Sequence, residues 1–148
     1  MLNKILKHKY KVIVTIVIIL CFAIIRNLES ELFYDPFLNY FKFDFKNSPF
    51  PEVNNFNLFC GLLFRYLINS VLSLILIYTL FQDKDILKFS MLLYGFFIIV
   101  LFVMFFVILK YFQEWNWLLF YVRRFIIQPI FVILFIPAFY YQQQNFKK

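Results

Sequence analysis

The chain has 148 residues, of which 64% are hydrophobic and 16% charged, and its net charge is +7. A soluble domain carries roughly half apolar and a quarter charged residues, so this composition excludes an ordinary soluble fold and predicts one membrane domain over residues 1–148. The positive charge does not point to nucleic acid, because the lysines sit between apolar blocks and read as topology determinants.

The first predicted span covers about residues 12–28 and follows a basic head of Lys4, Lys7, His8, Lys9 and Lys11. A charged head before an apolar run resembles a signal peptide, but no A-x-A-like site follows, so an uncleaved anchor is predicted. Residues 29–57 form the longest polar stretch, with Glu29, Glu31, Asp35, Asp44, Glu52 and three of the five prolines. The stretch is also rich in Phe and Tyr, which favour the headgroup layer, so it is predicted to lie on the membrane surface. Residues 41–46 alternate Phe with Lys or Asp, as in a strand, whereas Phe37, Phe41 and Phe45 share a helical face. The pattern leaves both local structures open.

The second span is predicted at about 58–81, followed by a short turn at Gln82-Asp83-Lys84-Asp85. The third, at 89–109, is 21 residues without a charge and fits the length a bilayer requires. Trp115 and Trp117 mark the interface before a fourth span at about 118–141, in which Pro129 lacks an N–H and is predicted to kink the helix. With the amino terminus inside, the inner segments carry eight Lys and the outer segments three. That asymmetry predicts a cytoplasmic (inner) membrane protein with both termini in the cytoplasm. Gly occurs twice and no G-x-x-x-G pair exists, so the helices are predicted to pack through bulky Phe, Leu and Ile, with a partner filling gaps.

The arginines carry the strongest site signal. Arg26, Arg65, Arg123 and Arg124 all lie inside or at the end of apolar spans, while the lysines avoid them. At 1.5 Å per residue, Arg65 is about 10 Å and Arg123 and Arg124 about 8–9 Å below the outer ends of their spans. All four therefore occupy one outer layer, where the positive-inside rule disfavours them. A charge there costs up to about 2.5–3.5 kcal/mol on insertion scales and requires a partner or a water-filled cavity. Arg65, Asn69 and Ser73 share a face at i, i+4, i+8, and Arg124 and Gln128 at i, i+4. Glu29, Glu31 and Asp35 are the candidate counter-ions. Two readings remain open: arginines that snorkel or pair internally, and a site for an anion or peptide carboxylate built from Arg26, Arg65, Asn69, Arg123, Arg124 and Gln128. Arg suits the second because its planar fork matches carboxylate and phosphate.

Catalytic chemistry is not expected. The one histidine, His8, is on the predicted inner side, and no Gly-rich phosphate loop exists. No C-x-x-C pair exists, so neither a metal site nor a cofactor is expected. Cys21 and Cys60 are read as small buried hydrophobes. Cys60 lies near the arginine layer with no histidine base to activate it.

The segments Leu32–Pro36, Phe64–Ser70, Phe81–Ser90, Phe120–Pro129 and Ile136–Gln142 span nearly the whole chain. On them the sequence resembles the exosortase F system-associated membrane proteins of Bacteroidetes-type bacteria. The resemblance implies an accessory role beside a membrane exosortase in protein sorting at the cell envelope. It also implies that the chain is not the peptidase, since exosortases use Cys, Arg and His and this chain has no outer histidine. The combined expectation is an all-α integral membrane protein of four transmembrane helices, with an aromatic-rich interfacial loop between the first and second. It is expected to act without catalysis on the bilayer, an exosortase, and an anionic lipid or a sorted-protein carboxylate. The runner-up is a small membrane protein that binds or processes an anionic lipid headgroup through the arginine cluster.

Overall fold

A computed structural model describes residues 2–43 and 49–147, which are helical with turns and contain no strand. Residues 44–46 of the alternating segment lie outside the described residues; its start, at 41–43, is a turn and a bend.

Helix α1 (Leu2–Asn27) begins ten residues before the predicted span, so the basic head is helical too. Its Val and Ile are poor helix formers in water. In a bilayer, however, a helix satisfies every backbone group within the segment, and that requirement overrides propensity. Two single-turn helices follow, α2 (Glu29–Leu32) and α3 (Phe37–Tyr40). Helix α4 (Asn55–Phe81) starts on the Asn54 side chain, which accepts from the N–H groups of Phe56 and Asn57. It ends at Gln82, whose left-handed backbone (φ 52°) turns the chain while its N–H bonds to the Tyr78 carbonyl at 2.8 Å. Asp83 then caps α5 (Lys84–Tyr111) by accepting from Asp85 N at 2.8 Å. Only Gln82 and Asp83 separate α4 from α5. A two-residue connection folds them back on each other, as the turn signal in the sequence predicted.

After α5, Phe112 and Trp115 stack at 4.6 Å in the short connection to α6 (Asn116–Ile127). The fourth predicted span then breaks at Gln128-Pro129 into α6 and α7 (Ile130–Lys147), bent by 66°. Pro129 was expected to kink this span, and the break is larger than a kink: the chain leaves the helix altogether for two residues. Helix α6 is 12 residues long, or about 18 Å, which is shorter than the roughly 30 Å hydrocarbon core. Three helices, α1, α4 and α5, are thus long and apolar enough to cross a membrane, and α6 with α7 supplies a fourth if the bent pair is one span.

Helix α4 is the centre of the bundle and touches α1, α5, α6 and α7. Leu58, Leu62 and Ile77 on α4 are fully buried, and Phe105 of α5 and Leu119 and Ile126 of α6 belong to the same core. Helix α1 is peripheral and buries only Ile18. One polar tie fixes it: Lys11 Nζ donates to the Leu80 carbonyl at the end of α4, at 3.1 Å. A cation there also meets the negative end of the α4 dipole. The bulky packing expected from the lack of small residues is present as aromatic stacks, with Phe97 on Phe131 at 4.4 Å and Phe131 on Phe135 at 6.0 Å. Outward-facing Leu92, Phe96, Ile99 and Val103 leave α5 with an apolar exposed face, which a water-soluble monomer rarely tolerates.

The loop between α1 and α4 departs from its expectation. It docks into the bundle instead of only lying on a surface. Phe37 is completely buried and meets Phe105 at 5.9 Å, and Phe33 is buried as well. Phe43 and Phe56 remain exposed, so only part of the aromatic set is free for an interface. Burying two Phe rings gives the loop roughly 3–6 kcal/mol of hydrophobic anchoring, which a surface loop would not have.

Candidate functional site

The docked loop brings its carboxylates to the arginines. The Asp35-Pro36 step disfavours helix at Asp35, so α2 and α3 stay separate turns and the Asp35 side chain turns inward between them. Asp35 takes a forked contact from Arg123 of α6: Nη2 bonds Oδ2, and Nε approaches Oδ1 at 3.4 Å. The Arg65 Nη1 atom, from α4, lies 3.9 Å from the same Asp35 Oδ2. Arg65 Nη2 bonds Glu29 Oε2. Two guanidinium groups from two helices thus share two carboxylates from the loop. The Arg65 and Arg123 side chains are 4% and 6% exposed and that of Asp35 is 3% exposed, while Glu29 retains 20%. These two arginines therefore do not snorkel. Their charge is met inside the protein, as burial of an ion requires.

Aromatic rings close the cluster from the sides. The Arg65 guanidinium carbon stands 5.5 Å from the Phe33 ring and that of Arg123 5.7 Å from Phe41, both within cation–π range. Gly61, one turn before Arg65, sets how closely the loop approaches. A Cβ at Gly61 would stand 2.8 Å from the Tyr34 carbonyl oxygen, so only glycine lets the loop backbone rest on α4 at this point. Tyr34 adjoins Asp35, and this contact places the shared carboxylate. Gly95, by contrast, has open space where a Cβ would stand.

Further down α4, Asn69 Nδ2 donates to the Ile127 carbonyl at 2.9 Å. Ile127 is the last residue of α6, and the break at Pro129 leaves its carbonyl without a helical donor. Asn69 satisfies that carbonyl, so the polar face of α4 holds the broken end of α6 in place. Ser73 bonds the Asn69 carbonyl at 2.6 Å, and Tyr66 donates to the Tyr94 carbonyl of α5 at 2.8 Å.

A cavity of about 530 Å³ opens beside the cluster. Of the candidate site residues, Arg26, Arg65, Asn69, Arg123, Gln128 and Glu29 line it. Arg124 does not; it is exposed, and its Nε donates to Gln128 Oε1 at 3.1 Å. Glu31 is exposed and pairs with no arginine among the described residues. Arg26 is exposed at the cavity wall, and Lys42 joins it there. The cysteines differ from their expected burial: Cys21 is half-buried, and Cys60 is exposed because it lies on the outward face of α4. Among the described residues no group of His, Cys, Asp and Glu is arranged to hold a metal ion.

Of the residues the sequence singled out, Arg65 and Arg123 meet Glu29 and Asp35 in one cluster. The sequence did not separate Arg123 from Arg124, because two adjacent residues differ by 100° around a helix and only the neighbours of α6 decide which one faces inward. Phe33, Phe41 and Gly61 were missed. The scarcity of glycine was a usable signal for Gly61, since one of only two glycines sits a single turn from a membrane arginine. Comparison of the chain with protein-family models, with curated proteins and with solved structures finds no match to any of them.

Proposed function

We propose that this chain is a non-enzymatic, multi-pass accessory protein of an exosortase-type sorting system in the cytoplasmic membrane. It crosses four times, by α1, α4, α5 and the broken pair α6–α7, with both termini in the cytoplasm. The docked loop and the arginine cluster then lie at the outer side, where the protein binds the exosortase or its substrate. The resemblance to exosortase F system-associated proteins supplies the partner.

The observation that supports an outer binding face is the incomplete neutralisation of the cluster. Glu29 and Asp35 occupy Arg65 and Arg123, while Arg26 and Lys42 stand exposed at the mouth of the cavity without a carboxylate partner among the described residues. Exposed cations on an outer surface run against the positive-inside bias, and a partner carboxylate or phosphate accounts for them. The Lys11–Leu80 bond supports the topology, since it joins the start of the first span to the end of the second on one side of the bundle.

The test is purification of the full chain from its native membrane in a mild detergent. The expected result is co-purification of an exosortase, reduced by Arg26→Gln with Lys42→Gln. Normal accumulation of the chain with no exosortase retained, together with intact sorting after its deletion, overturns the reading.

A further inference from the structure

The cavity beside the arginine cluster is amphipathic along its length. On α1, Phe22, Ile25 and Arg26 line it at i, i+3 and i+4, which is one helical face, and Glu29 at the start of α2 continues that wall. The apolar residues come first and the charged ones follow toward the docked loop. On the opposite wall the break at Pro129 turns α7 away, and Ile130 and Ile133 carry the apolar surface along it. Ile133 is exposed, so this end of the cavity is open laterally.

The polar end is rich in cations. Arg26, Lys42, Arg65 and Arg123 line it. Among the described residues Glu29 and Asp35 are the two carboxylates bonded to the cluster, which leaves two of these positive charges in excess. Arg65 is also incompletely used: its Nε and Nη1 are buried and make no hydrogen bond, although the side chain is only 4% exposed. A buried donor without an acceptor is costly and calls for a missing partner, such as an ion or a ligand.

We propose that this cavity seats a lipid phosphate monoester. The phosphate lies against Arg26 and Lys42 beside the Arg65 side chain, and the acyl chain follows Phe22, Ile25, Ile130 and Ile133. A phosphate monoester carries about −1.5 to −2 charges near neutral pH, which matches the excess of two. A single carboxylate neutralises only half of it. The apolar wall leading sideways out of the cavity distinguishes a lipid from free phosphate, which has no use for it. The inference rests on the chain's membrane placement with this cluster at the outer side, and not on the identity of its protein partner.

The full chain, purified in detergent, is examined by native mass spectrometry with dioleoyl phosphatidate or dioleoyl phosphatidylcholine, and with inorganic phosphate as competitor. Phosphatidate is expected to be retained about tenfold or more over phosphatidylcholine, a difference that one charge-assisted contact suffices to produce. Inorganic phosphate at equal concentration is expected not to displace it. Arg26→Gln with Lys42→Gln, both exposed and outside the buried pairs, abolishes the preference at unchanged thermal stability. Ile133→Asn, which leaves every cation in place, weakens retention through the apolar wall and serves if the double variant does not accumulate. Equal retention of the two lipids, or displacement of phosphatidate by equimolar phosphate, overturns the proposal. Exosortase capture without phosphatidate binding sinks the lipid seat and leaves the accessory reading standing; the reverse result sinks the accessory reading alone.

Discussion

Asp35→Asn removes one charge and keeps the shape of the side chain, so its effect isolates the electrostatic work of the buried cluster. Asp35 is the most shared member: it receives two atoms of Arg123 and faces a third atom, Nη1 of Arg65, at 3.9 Å. Arg123 has no other carboxylate partner among the described residues, and its side chain is 6% exposed. Neutralising Asp35 leaves that guanidinium buried and uncompensated, which costs about 3–5 kcal/mol for a broken buried pair. Glu29→Gln is the internal comparison. Glu29 is more exposed, and Arg65 keeps Asp35 nearby after the change, so the cost is smaller, about 1–3 kcal/mol. Thermal unfolding of the purified variants in one detergent reads both effects. A double-mutant cycle of Asp35→Asn with Arg123→Gln is expected to show positive coupling: the double variant is more stable than the sum of the single losses allows. Refutation is equally concrete. If Glu29→Gln destabilises more than Asp35→Asn, or the cycle shows no coupling, the shared carboxylate does not hold the bundle as argued.

Further outcomes follow from individual contacts. Arg123→Lys loses the fork on Asp35 and is expected to lower thermal stability by about 1–3 kcal/mol, while Arg124→Lys, exposed and bonded to Gln128, leaves stability and abundance unchanged; equal effects contradict the assignment of Arg123 as the inward residue. Gly61→Ala forces the Tyr34 backbone away from α4 and is expected to cost about 1–3 kcal/mol, whereas Gly95→Ala meets open space and stabilises by up to about 1 kcal/mol; a neutral Gly61→Ala in the same unfolding assay removes the close-approach argument. Reporter fusions after Gln82 and at Lys148 are expected to read cytoplasm and one after Asn47 outside, and a cytoplasmic signal at Asn47 reverses the orientation and with it the outer placement of the cluster.

The sequence by itself determined the helical class, the positions of the apolar segments, the α4–α5 turn and the weak point at Pro129. These follow from local rules. A long apolar run in a bilayer has to be helical because no water serves its backbone, Asp83 caps whatever helix follows it, and proline removes an N–H wherever it stands. The same local reasoning expects Arg65 and Arg123 at one depth, from rise per residue alone. The tertiary structure decided what lies beside them at that depth. Which of two adjacent arginines faces inward depends on the angle at which α6 meets α4. Whether Asp35 reaches them depends on the loop docking through Phe37 and on the missing Cβ of Gly61. The size of the break at Pro129 is likewise tertiary: proline frees one backbone bond, but a 66° bend persists because Asn69 on α4 takes up the Ile127 carbonyl that the bend exposes. Composition and spacing carry no information about contacts between residues 36 and 88 positions apart, the separations of Glu29 from Arg65 and of Asp35 from Arg123. Those contacts exist only once the bundle has closed around them.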